Sequence, residues 1–121
     1  MHVVEFNINL TSEQPEVLTN WYGSVLELPR SDFGEWAFKV GESAYVVIDG
    51  HSETVGRAKE PQRVLINFVV DDVAAEHQRL VAAGVEFVRE PQREPWGATI
   101  ATFLDPDGNY LQLLEIPPPS G

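Results

Sequence analysis

Among the polar residues inside apolar β-like runs, four stand out. They are Glu5 and Asn7 in VVEFNINL, Asn67 in RVLINFVV and Gln112 in NYLQLLE. In an alternating strand each falls on the face opposite the one its apolar neighbours bury. Amides offer both donors and acceptors and Glu5 adds a charge, so this set suits holding a ligand by hydrogen bonds. Trp96 in EPWG adds an indole that stacks on a flat ligand or a cation, or else plugs a subunit interface or a sheet edge. Trp36 in EWAFKV and Tyr45 in SAYVVI are further candidates for an aromatic wall, with their facing left open.

Other chemistry is harder to find. The three histidines are His2 near the chain start, His51 at the head of a polar stretch and His77 within an apolar helical stripe, where packing explains it best. None has a carboxylate at an informative spacing. There is no cysteine, no GxSxG elbow, no Ser-His-Asp arrangement and no glycine-rich phosphate loop before a helix, so no catalytic residue is assigned.

These residues need elements to position them. Residues 3–10 alternate as a half-buried strand, with Val4, Phe6, Ile8 and Leu10 on one face and Val3, Glu5, Asn7 and Asn9 on the other. Thr11 with Gln14 reads as a capping box, and Leu18, Trp21, Tyr22 and Val25 then recur at helical spacing until Pro29. Three strands are expected next: a weak one at 30–33, then WAFKV, then SAYVVI. After the polar connector 51–62 the same order restarts. RVLINFVV is a strand, and Asp71 and Asp72 cap a helix with the stripe Val73, His77, Leu80 and Val81 that ends at Gly84. VEFVRE, ATIATFL and NYLQLLEI are strands. The expected architecture is one α+β domain spanning 1–121. Module one covers about 1–50 and module two about 63–116, each βαβββ, with a Pro-rich tail at 117–121. Each helix covers one sheet face, and the curved mixed sheets surround a cup.

The 121 residues are 43% hydrophobic, enough for one core without disulfides. Eight Lys and Arg against nineteen Asp and Glu give a net charge of -11, which repels phosphate backbones and anionic lipid. Nucleic acid and membrane are therefore not expected partners. The start MHVVEFNINL has neither a basic n-region nor a small-residue cleavage site, so the expected location is cytoplasmic.

The double pattern, together with FLDPDGNYLQLLE, VVDDVAAEHQRLVAAGVEF and NWYGSVLELP, resembles the vicinal oxygen chelate superfamily of glyoxalase I, extradiol dioxygenases and the bleomycin and fosfomycin resistance proteins. EPWG is similar to the PWG of the bleomycin-resistance type. The resemblance implies a glyoxalase/bleomycin resistance-like fold, pairing of copies that makes a homodimer the expected assembly, and, in metal-dependent members, an ion held by His or Glu from matched strands. Residue by residue, those positions fall at Leu65, at Gln112, near Tyr45 to Val47, and at Val3, Glu5 or Asn7. Leucine cannot ligate an ion and an amide does so poorly, which leaves Glu5 as the good donor. The expectation is a metal-independent small-molecule-binding protein without a cofactor. Its ligand is a cationic or aromatic compound held by Glu5, Asn7, Tyr45, Leu65, Asn67, Trp96 and Gln112. The alternative is a glyoxalase-type lyase, isomerase or dioxygenase with one divalent ion on non-standard ligands, Glu5 with His2 or His51.

Overall fold

The computed structural model describes residues 1–32 and 34–118. Phe33, in the weak strand expected at 30–33, and residues 119–121 of the expected tail lie outside the described residues. The chain divides into two compact units, Met1–Gly56 and Arg57–Gly121, each with its own mixed sheet and helix.

The first unit contains β1 (Phe6–Ser12), α1 (Pro15–Ser24), β2 (Ala37–Val40) and β3 (Ala44–Gly50). Its sheet has the order β1-β3-β2, with β1 parallel and β2 antiparallel to β3. Ile8 lies opposite Val46 and Leu10 opposite Ile48, and this side packs under α1, whose Leu18 and Tyr22 are fully buried. Tyr22 and Phe38 hold their rings 6.4 Å apart. Truncating Leu18 here would cost about 2–5 kcal/mol.

Several expectations for this unit are corrected. The first strand starts at Phe6, because β3 begins at Ala44 and supplies no partner to Val3, Val4 or Glu5. Glu5 therefore lies just before the strand. Thr11 is a strand residue whose hydroxyl meets that of Thr54 at 2.8 Å, so it does not cap the helix. With Pro15 opening α1, the cap position moves to Gln14, whose N–H donates to the Ser12 hydroxyl at 2.9 Å. The helix stops at Ser24, well before Pro29, and Glu27 adopts a left-handed φ of 59°. The weak strand reduces to one bridge, Arg30 to Phe38, leaving three strands in this sheet.

The second unit contains a short 3₁₀ turn at Pro61–Arg63, β4 (Ile66–Val69), α2 (Val73–Ala82), β5 (Phe87–Arg93), β6 (Thr99–Leu104) and β7 (Tyr110–Glu115). The sheet order is β4-β7-β6-β5, with only the β4–β7 pair parallel. Ile66, Leu111, Phe103 and Phe87 align across all four strands on the side that α2 covers through Val73 and Leu80. Asp72 caps α2 as expected, accepting from the Ala75 N–H at 3.0 Å, and Gly84 turns the chain with φ 88°. Glu115 on β7 accepts the Val73 N–H at 2.9 Å, which docks the positive helix start on the sheet. Val81 is half exposed and leaves the expected stripe, while His77 stays in it, edge-on to Phe87 at 4.6 Å.

The β6–β7 turn is built on a buried carboxylate. Asp105 Oδ1 accepts from the N–H groups of Asp107 and Asn109 at 2.9 and 3.0 Å, and Oδ2 accepts from Asn109 Nδ2 at 2.8 Å. Gly108 takes φ 79°, and the Arg57 guanidinium lies against it while donating to the Pro106 carbonyl at 3.2 Å. The Ala58 N–H also donates to the Asp107 carbonyl at 2.9 Å, so the end of the connector is clasped to this turn.

Candidate functional site

Residues paired across neighbouring strands share a sheet face, which allows the side of the second sheet facing away from α2 to be read from the register. Asn67 pairs with Gln112, Gln112 with Thr102, and Thr102 with Arg89, forming one polar row across β4, β7, β6 and β5. Gln112 Nε2 donates to Thr102 Oγ1 at 2.9 Å. A hydroxyl can donate or accept, so the amide can turn either its oxygen or its NH₂ toward a ligand.

This face carries a concavity of about 360 Å³. Its polar lining comes from Gln112, Thr102, Tyr110, Arg89 and Gln62, the last on the 3₁₀ turn, and Leu65 and Val88 supply apolar wall. Val88 and Arg89 both reach it because of a bulge. Phe87 opposes Phe103 while Arg89 already opposes Thr102, so β5 holds an extra residue that re-aims its side chains. The Arg89 guanidinium donates to Gln92 Oε1 at 3.1 Å and pairs with the Glu94 carboxylate, which neutralises the one formal charge in the lining. The site is therefore polar and close to neutral, with a phenol ring at one side.

The residues expected from sequence are placed as follows. Leu65 and Gln112 line the concavity, and Asn67 stands beside Gln112 in the same row. Trp96 does not line it. That residue is 63% exposed on the β5–β6 turn, which is closed by Glu94 N–H to the Ala98 carbonyl at 2.7 Å and Gly97 N–H to the Glu94 carbonyl at 2.9 Å. In the first unit Asn7 lies next to Tyr45 on the face away from α1, and Asn7 Nδ2 donates to Glu5 Oε2 at 3.1 Å. Sequence reasoning missed Thr102 and Tyr110, although both alternate in phase with Gln112. It missed Arg89 and Val88 because a bulge leaves no mark in the pattern, and Gln62 because it lies in the connector.

The donors around Gln112 are amide, hydroxyl, phenol and guanidinium groups, which do not fit a divalent ion. Among the described residues no three His, Cys, Asp or Glu side chains come together in a way that could hold one. His51 Nδ1 accepts from the Glu53 N–H at 3.0 Å. His77 Nε2 stands 2.6 Å from Glu90 Oε2, a close contact without hydrogen-bond alignment.

The family model for the Glyoxalase/Bleomycin resistance protein/Dioxygenase superfamily matches residues 2–113. The chain belongs to this superfamily. Within the glyoxalase superfamily fold, a crystal structure from Sphaerobacter thermophilus aligns with a TM-score of 0.74 at 20% identity, covering 95% of this chain and 98% of that one. Another, of a "family enzyme" from Burkholderia phytofirmans, gives a TM-score of 0.73 at 19% identity over 92% of this chain and 97% of its own. At such identities the likeness is one of fold. In sequence, the uncharacterized protein YetH of Bacillus subtilis is 30% identical over 87 residues, which is 72% of this chain and 69% of YetH. In this glyoxalase-type sheet, two of the positions where the resemblance implies metal ligands, Leu65 and Gln112, line the same concavity.

Proposed function

We propose that this chain is a metal-independent small-molecule-binding protein whose ligand occupies the concavity beside Gln112. The observation that carries this reading is the chemistry at that place. Leu65 and Gln112, at the positions where the resemblance implies metal ligands, line the concavity, and Gln112 is tied to the Thr102 hydroxyl. A volume of about 360 Å³ suits a compound of one or two rings. Tyr110, Leu65 and Val88 supply the surface that buries such a compound, and Gln112, Thr102 and Gln62 orient it by hydrogen bonds with no bond broken. Arg89 and its partner Glu94 favour a neutral aromatic ligand here over a cation. Tyr110 takes the stacking role first expected of Trp96.

The proposal includes a homodimer. Phe6 on β1 and Val69 on β4 are 62% and 65% exposed, and each strand is the last in its sheet, an arrangement that favours cover by another chain. Sedimentation as a monomer at micromolar concentration would contradict it. Cytoplasmic residence also belongs to the proposal, and among the described residues no helix is long and apolar enough to cross a membrane.

Metal analysis of the purified protein, paired with thermal shift in zinc, nickel, manganese and iron, tests the binding reading. The expected result is no stoichiometric ion and no metal-dependent rise in melting temperature, alongside stabilisation by one or more aromatic compounds. A stoichiometric ion held by strand residues would replace this reading with the metal-dependent lyase, isomerase or dioxygenase.

A further inference from the structure

A second and larger concavity, of about 810 Å³, lies on the first unit between α1, the end of β3 and the loop that leads into β2. Its charge differs from that of the Gln112 site. Its lining includes three acidic residues, Glu16 from the first turn of α1, Glu35 from the loop and Asp49 from β3, against one basic residue, Arg30.

Arg30 is already engaged. Its guanidinium lies 5.1 Å from the centre of the Phe38 ring, donates to the Glu35 carbonyl, and rests over Gly23, where a Cβ would meet it at 2.9 Å. The carboxylates are not matched in the same way. Among the described residues Glu16 and Glu35 have no ion pair or hydrogen bond to their carboxylates, and Asp49 uses one oxygen to accept the Gly50 N–H at 2.8 Å. Among the described residues, the lining of this groove thus carries an excess of negative charge that Arg30 offsets only in part.

Its aromatic wall is Trp36, 58% exposed. Its backbone is tied to β3 and its ring lies beside Gly34. The Trp36 carbonyl accepts the Ile48 N–H at 2.9 Å, and the ring lies over Gly34, whose φ of 149° favours glycine and where a Cβ would stand 3.5 Å from Cε2. An indole face is the best cation–π surface among side chains, and its large exposed area is costly to leave in water without a partner.

We infer that this groove is a binding site for a small organic cation, a quaternary ammonium or a protonated amine with apolar substituents, held on Trp36 and balanced by Glu35, Asp49 and Glu16. Its lining shares no residue with the Gln112 concavity, and it goes beyond the aromatic-ligand reading. Long-range attraction comes from the carboxylates, and selectivity for an alkylated cation over a metal ion comes from the indole.

The test is an NMR titration of the intact protein with choline and with 3,3-dimethyl-1-butanol, its neutral isostere, following the Trp36 indole N–H. Choline should saturate with a dissociation constant on the order of 1 mM and the isostere should not. Trp36→Ala should weaken choline by about tenfold, and Glu35→Gln with Asp49→Asn by severalfold, with added salt acting in the same direction. Gln112→Leu should leave choline binding unchanged, so failure at this site is distinguishable from failure at the other. Equal binding of the isostere, no saturation up to roughly 30 mM, or indifference to the carboxylate changes in a variant that melts like the parent would overturn the inference.

Discussion

Gln112 and Thr102 face each other across the β6–β7 pair and share a hydrogen bond of 2.9 Å, at a position where the resemblance to metal-dependent members implies a metal-binding carboxylate. The amide is thus already part of a polar row, and its neighbours Asn67, Arg89 and Tyr110 are not metal ligands of the required kind.

Replacing Gln112 by Glu therefore should not create a metal site. One carboxylate beside a hydroxyl, a phenol and a guanidinium lacks the second and third donors an ion needs. Gln112→Glu protein should bind no stoichiometric divalent ion, and its melting temperature should be the same with and without zinc. A site filled to a hundred times its dissociation constant would add about 2.7 kcal/mol, a shift of several degrees that is easily seen.

Thr102 is 5% exposed, and its hydroxyl is bonded to Gln112. Thr102→Val keeps the β-branched shape and removes that bond, at a cost of about 1 kcal/mol in urea unfolding. Adding Gln112→Leu should recover part of the loss, because no amide is then left unpaired. A double-mutant cycle with zero coupling would contradict the bond.

Asp105 accepts from two backbone N–H groups and one side-chain amide while only 3% exposed. Asp105→Ala strands these donors and should cost roughly 3 kcal/mol or more, whereas Asp105→Asn keeps an acceptor oxygen and should cost less than half of that. Urea midpoints of the two variants give the comparison.

At Gly108 two penalties coincide. The left-handed φ of 79° disfavours any side chain, and a Cβ would lie 2.7 Å from an Arg57 nitrogen. Gly108→Ala should destabilise by about 1–2 kcal/mol, and adding Arg57→Ala should relieve the contact but not the backbone strain. Full recovery in the double variant would show that the strain term is wrong.

The sequence pattern carries much of this arrangement, unevenly. Asn67 and Gln112 are legible because a period of two assigns them to one face, and their pairing in register follows from equivalent places in β4 and β7. Asp72 and Gly84 bound α2 as their capping chemistry requires. The alternation extends back to Val3 and so reads Glu5 as a strand residue, but an alternating run forms a ladder only where a partner exists, and β3 starts too late. Thr11 lost its capping role to tertiary pairing. Arg89 is hidden by a bulge, a property of two strands together that one strand's residues do not encode. The acidic, Trp36-walled groove is equally hidden, since Glu16, Glu35 and Asp49 meet only through the packing of α1 beside β3.

The most direct test of ligand binding at the Gln112 concavity is an NMR titration of chelator-treated protein with a library of neutral aromatic compounds, reading the side-chain signals of Gln112 and Arg89. The account predicts saturable shifts of both signals with at least one compound in the complete absence of metal, lost in Gln112→Leu protein. Shifts that require an added divalent ion, or no response of these signals to any compound, would contradict it.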